Sequence, residues 1–111
     1  MNEGDIVKAV LNQVDNKAKF RPVLLLKKMP PFDDWLVCGI TSQIKNKVDK
    51  FDLLMSSDDP DFFDTGLLKT SLIRLGFLAV IPENIIEGTI GSISNAKYAE
   101  LLNNLITHLK K

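Results

Sequence analysis

The chain has 111 residues and a mass of 12.4 kDa, with 45% hydrophobic and 25% charged side chains. Those values fit one globular domain over residues 1–111, and they exclude a disordered chain, a collagen-like repeat and a disulfide scaffold. Lys+Arg and Asp+Glu both number 14, which excludes bulk electrostatic coating of nucleic acid but leaves room for a local basic groove.

Residues 4–11 (GDIVKAVL) alternate loosely around Ile6, Val7 and Val10 and predict a first strand. The polar stretch 12–19 (NQVDNKAK) predicts a loop. A second strand is predicted over 20–26 (FRPVLLL). Its Pro22 cannot donate a ladder hydrogen bond and should lie at the strand start or on an edge. The two prolines of 29–33 (MPPFD) force a turn. Residues 35–41 (WLVCGIT) predict a third strand with apolar side chains on both faces, and 51–55 (FDLLM) a short fourth. An acidic loop follows over 56–66, punctuated by Pro60 and Gly66. Residues 70–75 predict a strand, and 77–81 a further one after a break at Gly76. Pro82 opens a helical turn through Ile86, and Gly88 and Gly91 bracket a brief extended piece.

The last segment has the clearest period. Tyr98, Leu101, Leu102, Leu105, Ile106 and Leu109 fall on one stripe of an amphipathic helix, with Ser94 or Asn95 as its N-cap and Lys110 and Lys111 at the negative end of its dipole. Strands joined by short turns and closed by one helix predict a mainly β fold: a small, strongly curved antiparallel sheet or partly open barrel.

Cys38 is the sole cysteine, so an internal disulfide and a zinc–thiolate cluster are excluded, and a reducing, cytoplasmic setting is the expectation. Within an apolar strand it reads as a core residue. The apolar runs 23–26 and 75–81 are far shorter than the roughly 20 residues of a spanning helix, and the start MNEGD has no signal-peptide character. No phosphate loop, dinucleotide fingerprint or nucleophile elbow is present. His108, the only histidine, lies at the helix end, where a cation suits the dipole. Asp58, Asp59 and Asp61 lack the glycine and terminal glutamate of a calcium loop. No cofactor and no metal site is expected.

Charge is uneven along the chain. Residues 1–50 carry 9 basic and 6 acidic side chains, and residues 51–111 carry 5 and 8. The basic excess includes Lys17, Lys19, Arg21, Lys27, Lys28, Lys45, Lys47 and Lys50. It reads either as a solvated loop surface or as an anion-binding face. Arg21 lies within an otherwise apolar strand, and Thr41-Ser42 end a buried strand at the loop 43–50. A guanidinium offers permanent charge and bidentate donors, and strand-end hydroxyls add short hydrogen bonds, so together they can hold a phosphate.

GDIV at 4–7, RPVLLL at 21–26, GITS at 39–42, TGLLKTSLIRL at 65–75 and IGSIS at 90–94 before the closing helix follow in one order. Together they resemble the MazF/PemK (Kid) toxins of type II toxin–antitoxin systems. The resemblance implies an SH3-like barrel of antiparallel strands with a C-terminal helix, working as a homodimer. It implies a metal-independent endoribonuclease that cuts single-stranded RNA at short sequences and leaves a 2′,3′-cyclic phosphate, and an acidic, partly disordered antitoxin as partner. Position by position, it implies Arg21, Thr41 and Arg74 as catalytic residues. Ser42, Phe51 and Thr70 are implied as substrate contacts, joined by Lys19 from the basic first half and Gln43 from the loop after GITS. Stacking of bases would fall to Phe51 or Trp35.

Three positions depart from the family pattern. The acid that the PemK branch has two residues after its later arginine is here Gly76, its first-loop histidine is missing, and the usual proline before Ile-Thr-Ser is Gly39. Two functional classes therefore stand at the level of sequence: an active endoribonuclease, and a degenerate barrel of the same family that binds RNA or a partner without cutting.

Overall fold

The computed structural model describes residues 1–12 and 18–111. Positions 13–17 of the predicted first loop, Lys17 among them, lie outside the described residues. The elements are β1 (Asp5–Asn12), β2 (Ala18–Met29), β3 (Asp34–Thr41), β4 (Leu53–Met55), β5 (Ser71–Ile81), β6 (Ile86–Ser92) and α1 (Asn95–Leu109). The strands form one antiparallel sheet in the order β4-β5-β3-β2-β1-β6. This is the mainly β, barrel-like architecture with a C-terminal helix that the sequence predicts.

Two apolar clusters lie on opposite faces of the strands, because successive side chains alternate in direction. Ile6, Leu24, Leu26, Cys38, Ile73 and Leu75 face one way and pack with Leu53, Met55 and the helix residues Leu101 and Leu105. Val7, Ala9, Val23, Leu25, Trp35 and Val37 face the other way and pack with Ile81. The near-continuous apolar reading of β3 is met: Trp35 and Val37 serve one face and Cys38 the other. Each fully buried aliphatic side chain contributes about 1.5–3 kcal/mol, so Leu101 and Leu105 alone can seat the helix.

Ser94 caps α1 by accepting a hydrogen bond from Lys97 N–H at 3.2 Å. Tyr98 ties the first turn to β2 through Oη to the Leu26 carbonyl at 2.6 Å. The stripe is not wholly covered, since Ile106 and Leu109 remain exposed. A second anchor is ionic: Lys97 Nζ lies 2.7 Å from Asp61 and 3.1 Å from Asp59. Part of the acidic loop is thereby pinned to the helix instead of being solvated. The Asp61 carboxyl is held below its ordinary value, first by the Lys97 hydrogen bond. Burial pulls the Lys97 ammonium down, but the two aspartates outweigh it and the net shift is upward.

Two expectations are corrected. Pro22 is neither at the strand start nor on an edge strand. It pairs with Lys8 of β1 inside a central strand, at the point where the β3 ladder ends, that ladder's last pair being Val23–Gly39. Its missing N–H is tolerated because the neighbouring ladder stops there. The predicted break at Gly76 is no break: β5 runs unbroken from Ser71 to Ile81. Gly39 faces Arg74 while the adjacent Cys38 faces Leu78, so Leu75, Gly76 and Phe77 form a three-residue bulge.

Gly66 and Gly91 mark a close backbone approach. A Cβ on Gly91 would lie 2.3 Å from the carbonyl carbon of Thr65, and one on Gly66 would lie 2.1 Å from the carbonyl oxygen of Ile90. Gly66 also has φ +71°, which glycine adopts without strain.

Candidate functional site

Strand arithmetic places the candidate residues. Val23 of β2 faces Gly39 of β3, and Gly39 faces Arg74 of β5. Facing residues share a side of the sheet, as do residues two apart on one strand. Arg21, Val23, Gly39, Thr41 and Arg74 therefore point to the face that carries Val37 and Leu25, away from α1. Arg21 and Thr41 lie one step beyond the Val23–Gly39 pair on their respective strands. With strands about 4.8 Å apart, the backbones of Arg21 and Arg74 are separated by about 10 Å across the sheet and about 7 Å along it, within the joint reach of two arginine side chains. Both arginines are exposed. Lys19, two residues before Arg21, is exposed on the same side of β2.

The Thr41 hydroxyl is oriented by its own loop. It accepts the Gln43 backbone N–H at 3.1 Å, which leaves its proton to donate outward. Ser42 and Gln43 follow directly, both exposed. The structure thus brings Lys19, Arg21, Thr41 and Arg74 to one face of the sheet, with Ser42 and Gln43 in the loop directly after Thr41.

Two of the other candidates lie apart from them. Phe51 packs on the helix side: its ring centroid is 4.8 Å from that of His108 and its carbonyl accepts from Asn104 Nδ2 at 3.0 Å. Thr70 precedes β5 and is engaged by Ser57, whose N–H donates to its Oγ1 at 2.9 Å. Four residues separate it from Arg74, about 13 Å of extended chain. Trp35 is 1% exposed and presents no stacking surface.

Two residues that sequence reasoning did not select bear on this face. Phe77, from the bulge, covers Gly39: a Cβ built there would meet the Phe77 ring at 3.0 Å. The other is Asp52. Its carboxylate is buried and accepts Val48 N–H at 3.0 Å and Leu75 N–H at 3.1 Å. The bulge releases the Leu75 N–H from the ladder, and a buried amide without a partner is costly. Asp52 thus secures the peptide directly after Arg74 and, with its second oxygen, the end of the loop after Gln43. Asp52 falls inside the predicted fourth strand, and nothing local marks it as the acceptor for an N–H 23 residues away. Cys38, buried as expected, has its thiol pushed up first by burial and then by the Asp52 charge.

The departures at 39 and 76 have a physical setting too. Gly39 leaves the space that Phe77 fills, and a Cβ at Gly76 would meet only Arg74 Nη2, at 3.8 Å.

Comparisons with known proteins agree with the architecture. The solved structure of the "Mycobacterium tuberculosis toxin MazF-mt6" is similar at TM-score 0.71 and 20% identity, over 96% of each chain. An "Endoribonuclease in complex with its cognate antitoxin from Mycobacterial species" is similar at TM-score 0.70 and 13% identity, over 99% of this chain and 95% of that one. No curated protein sequence matches. The family model described as "PemK-like, MazF-like toxin of type II toxin-antitoxin system" matches residues 2–109. With that match spanning nearly every position, and with the sheet and helix the motifs imply, the chain belongs to the PemK-like, MazF-like toxin family of type II toxin–antitoxin systems.

Proposed function

We propose that this chain is the toxin of its pair and acts as a metal-independent, sequence-selective endoribonuclease on single-stranded RNA, mRNA included. The observation that carries the reading is the placement of Arg21, Thr41 and Arg74 on one face of three adjacent strands. RNA brings its own nucleophile. The 2′-oxygen attacks phosphorus, the bond to the 5′-oxygen breaks, the 2′-hydroxyl proton leaves and the 5′-oxygen gains one, giving a 2′,3′-cyclic phosphate. Arg21 and Arg74 neutralise the charge that develops on the phosphoryl oxygens, and the Thr41 hydroxyl donates to one of them. The arginines are assigned to charge and not to proton uptake, because an arginine pKa above about 12 would have to fall far to serve as a base. Lys19, Ser42 and Gln43 line the approach of the strand. Phe51 and Thr70 lie beyond this cluster.

The whole chain, residues 1–111, works as one barrel in a cytoplasmic homodimer, restrained by an acidic antitoxin segment that competes for the basic face. A similar fold has been determined as an endoribonuclease with its cognate antitoxin, which supports such a partner. Among the described residues no helix is long and apolar enough to cross a membrane.

The test is incubation of purified protein with a long RNA in EDTA, followed by mapping of the ends. Cyclic-phosphate ends are expected from the wild type, and a loss of at least about a hundred-fold in rate for Arg21→Ala with unchanged thermal melting. Undiminished cleavage by that variant rejects the assignment. The open, acid-free position at Gly76 favours one other reading, a barrel that binds RNA or a partner without turnover. Binding of the same RNA with no cut ends would select it.

A further inference from the structure

Phe77 lies on the face shared by Arg21, Thr41 and Arg74, where Trp35 of the same face is buried. Phe77 is 42% exposed, so a substantial part of the ring is open to solvent. Its seat is defined on the inner side. The positions where a Gly39 Cβ would sit are occupied at 3.0 Å by Phe77 Cδ1, 3.2 Å by Cγ and 3.3 Å by Cβ. Any side chain at position 39 would push the ring away from the sheet.

Position 39 lies directly between Val23 and Arg74 in the strand register, two residues from Thr41. The ring is therefore held beside the guanidinium and hydroxyl groups that would grip a phosphodiester. Gly76, the residue before it, is exposed and adds no side chain that would cover the ring. One side of the ring packs on Gly39 and the remainder is open to a ligand.

A flat apolar ring next to a phosphate-binding cluster has one natural ligand in a single-stranded nucleic acid. The base of a splayed nucleotide stacks on the ring while its phosphate meets the cations. From this geometry we infer that Phe77 is a stacking platform for an RNA base adjacent to the scissile phosphate, and that Gly39 is the residue that seats it. The inference rests on the ribonuclease reading and adds a named base contact to it. It also gives the glycines at 39 and 76 a shared purpose, making room for Phe77 and leaving its outer surface open. The aromatic contact moves from Phe51 and Trp35, which are committed to the helix side and the core, to the bulge of β5.

The experiment uses the full chain and the RNA sequence found by end mapping, synthesised as a short oligonucleotide with a 2′-deoxy sugar at the cut nucleotide. Binding of that oligonucleotide is measured alongside cleavage of the all-ribose form. Stacking of one base is worth about 1–3 kcal/mol on aromatic removal, so Phe77→Ala should raise the Kd and KM about five- to a hundred-fold. Phe77→Trp should restore binding. Replacing the stacked base by an abasic sugar should weaken wild-type binding and leave Phe77→Ala unchanged, which a purely structural ring would not do.

Gly39→Ala displaces the ring without altering it. It should weaken binding in the wild type and have less than about a two-fold effect in the Phe77→Ala background. Should Phe77→Ala fail to fold, Gly39→Ala and Phe77→Leu carry the test. Phe77 variants that melt earlier yet keep the wild-type Kd and KM below their melting range overturn the inference, as does an abasic effect that is the same with and without the ring. Cleavage by wild type, loss in Arg21→Ala and no change in Phe77→Ala defeats the stacking role alone. A wild type that neither cuts nor binds RNA defeats the ribonuclease reading itself.

Discussion

Replacing Asp52 by asparagine should expose how the bulge of β5 is held. The substitution is nearly isosteric, so packing is preserved while one acceptor becomes a donor. In the native protein the two carboxylate oxygens accept Val48 N–H at 3.0 Å and Leu75 N–H at 3.1 Å, in a site where Asp52 is 6% exposed. Asparagine can accept only one of these, and its NH₂ must then face the other N–H. A hydrogen bond to a charged group contributes about 1.5–3 kcal/mol, and an orphaned buried donor costs a similar amount. Against this, asparagine carries no charge to keep out of water, which offsets part of the loss. The balance is a net loss of about 2 kcal/mol, or about 10 °C in Tm for a domain of this size.

The location of the loss is as informative as its size. Asp52 accepts the N–H of the peptide directly after Arg74, so the carboxylate acts on the backbone and not on the guanidinium. Hydrogen exchange should therefore accelerate at the Leu75 and Val48 amides before it does so in the β1–β2 ladder. RNA cleavage should fall about ten-fold below the melting range, since a displacement of Arg74 by a fraction of an ångström is enough for that. An Asp52→Asn protein that melts within about 3 °C of wild type, with unchanged exchange at both amides, would refute the role given to this residue.

Other outcomes follow from the same geometry. Gly76→Asp has room beside Arg74 Nη2. It should leave stability unchanged or raise it by up to about 1 kcal/mol. If turnover lacks a proton acceptor, kcat should rise about ten-fold, at the low end for a general base because the arginine makes the new carboxylate less basic, while KM rises as Arg74 is partly neutralised; a kcat that does not rise counts against a missing base. Gly91→Ala drives a Cβ into the Thr65 backbone at 2.3 Å and should cost about 3 kcal/mol in chemical denaturation, whereas Gly88→Ala, with nothing within 4 Å, should shift it by no more than about 0.5 kcal/mol. Lys97→Met should give a stability loss with a particular pH profile. The Asp61 contribution is present above the ordinary carboxylate pKa and fades as pH falls through the lowered folded value. The Lys97 contribution is present below the ordinary lysine pKa and fades as pH rises through the raised one. The wild-type advantage over Lys97→Met, followed by urea titration, should thus be level from about pH 5 to about pH 10 and shrink outside that window.

What could be read in advance divides along one line: whether a residue's position depends on local periodicity or on a distant partner. Arg21 and Thr41 sit at even spacing from Val23 and Gly39 on uninterrupted strands, so the alternation of β2 and β3 alone puts them on one side of the sheet. The helix follows from its stripe and from Ser94 in the same local way. β5 does not. Gly76 looked like punctuation because nothing nearby shows that Leu78–Ile81 can rejoin β3 opposite Trp35–Cys38, or that the N–H released by the detour will find Asp52 at a separation of 23 residues. The side to which an aromatic ring turns is set by that detour. Phe51 lies before β4 and folds under the helix beside His108, while Phe77 lies within the bulge and turns onto the arginine face. Three inserted residues, an odd number, would exchange the two faces of β5 relative to β3 if the strand kept its alternation, yet Ala79 beyond the bulge still faces Val37 and Arg74 before it still faces Gly39. The bulge absorbs that half-turn in its own backbone, between Leu75 on the helix side and Phe77 on the arginine face. The continuity of β5 and the side taken by Phe77 are then two consequences of one local solution, which is why neither can be read before the register is known.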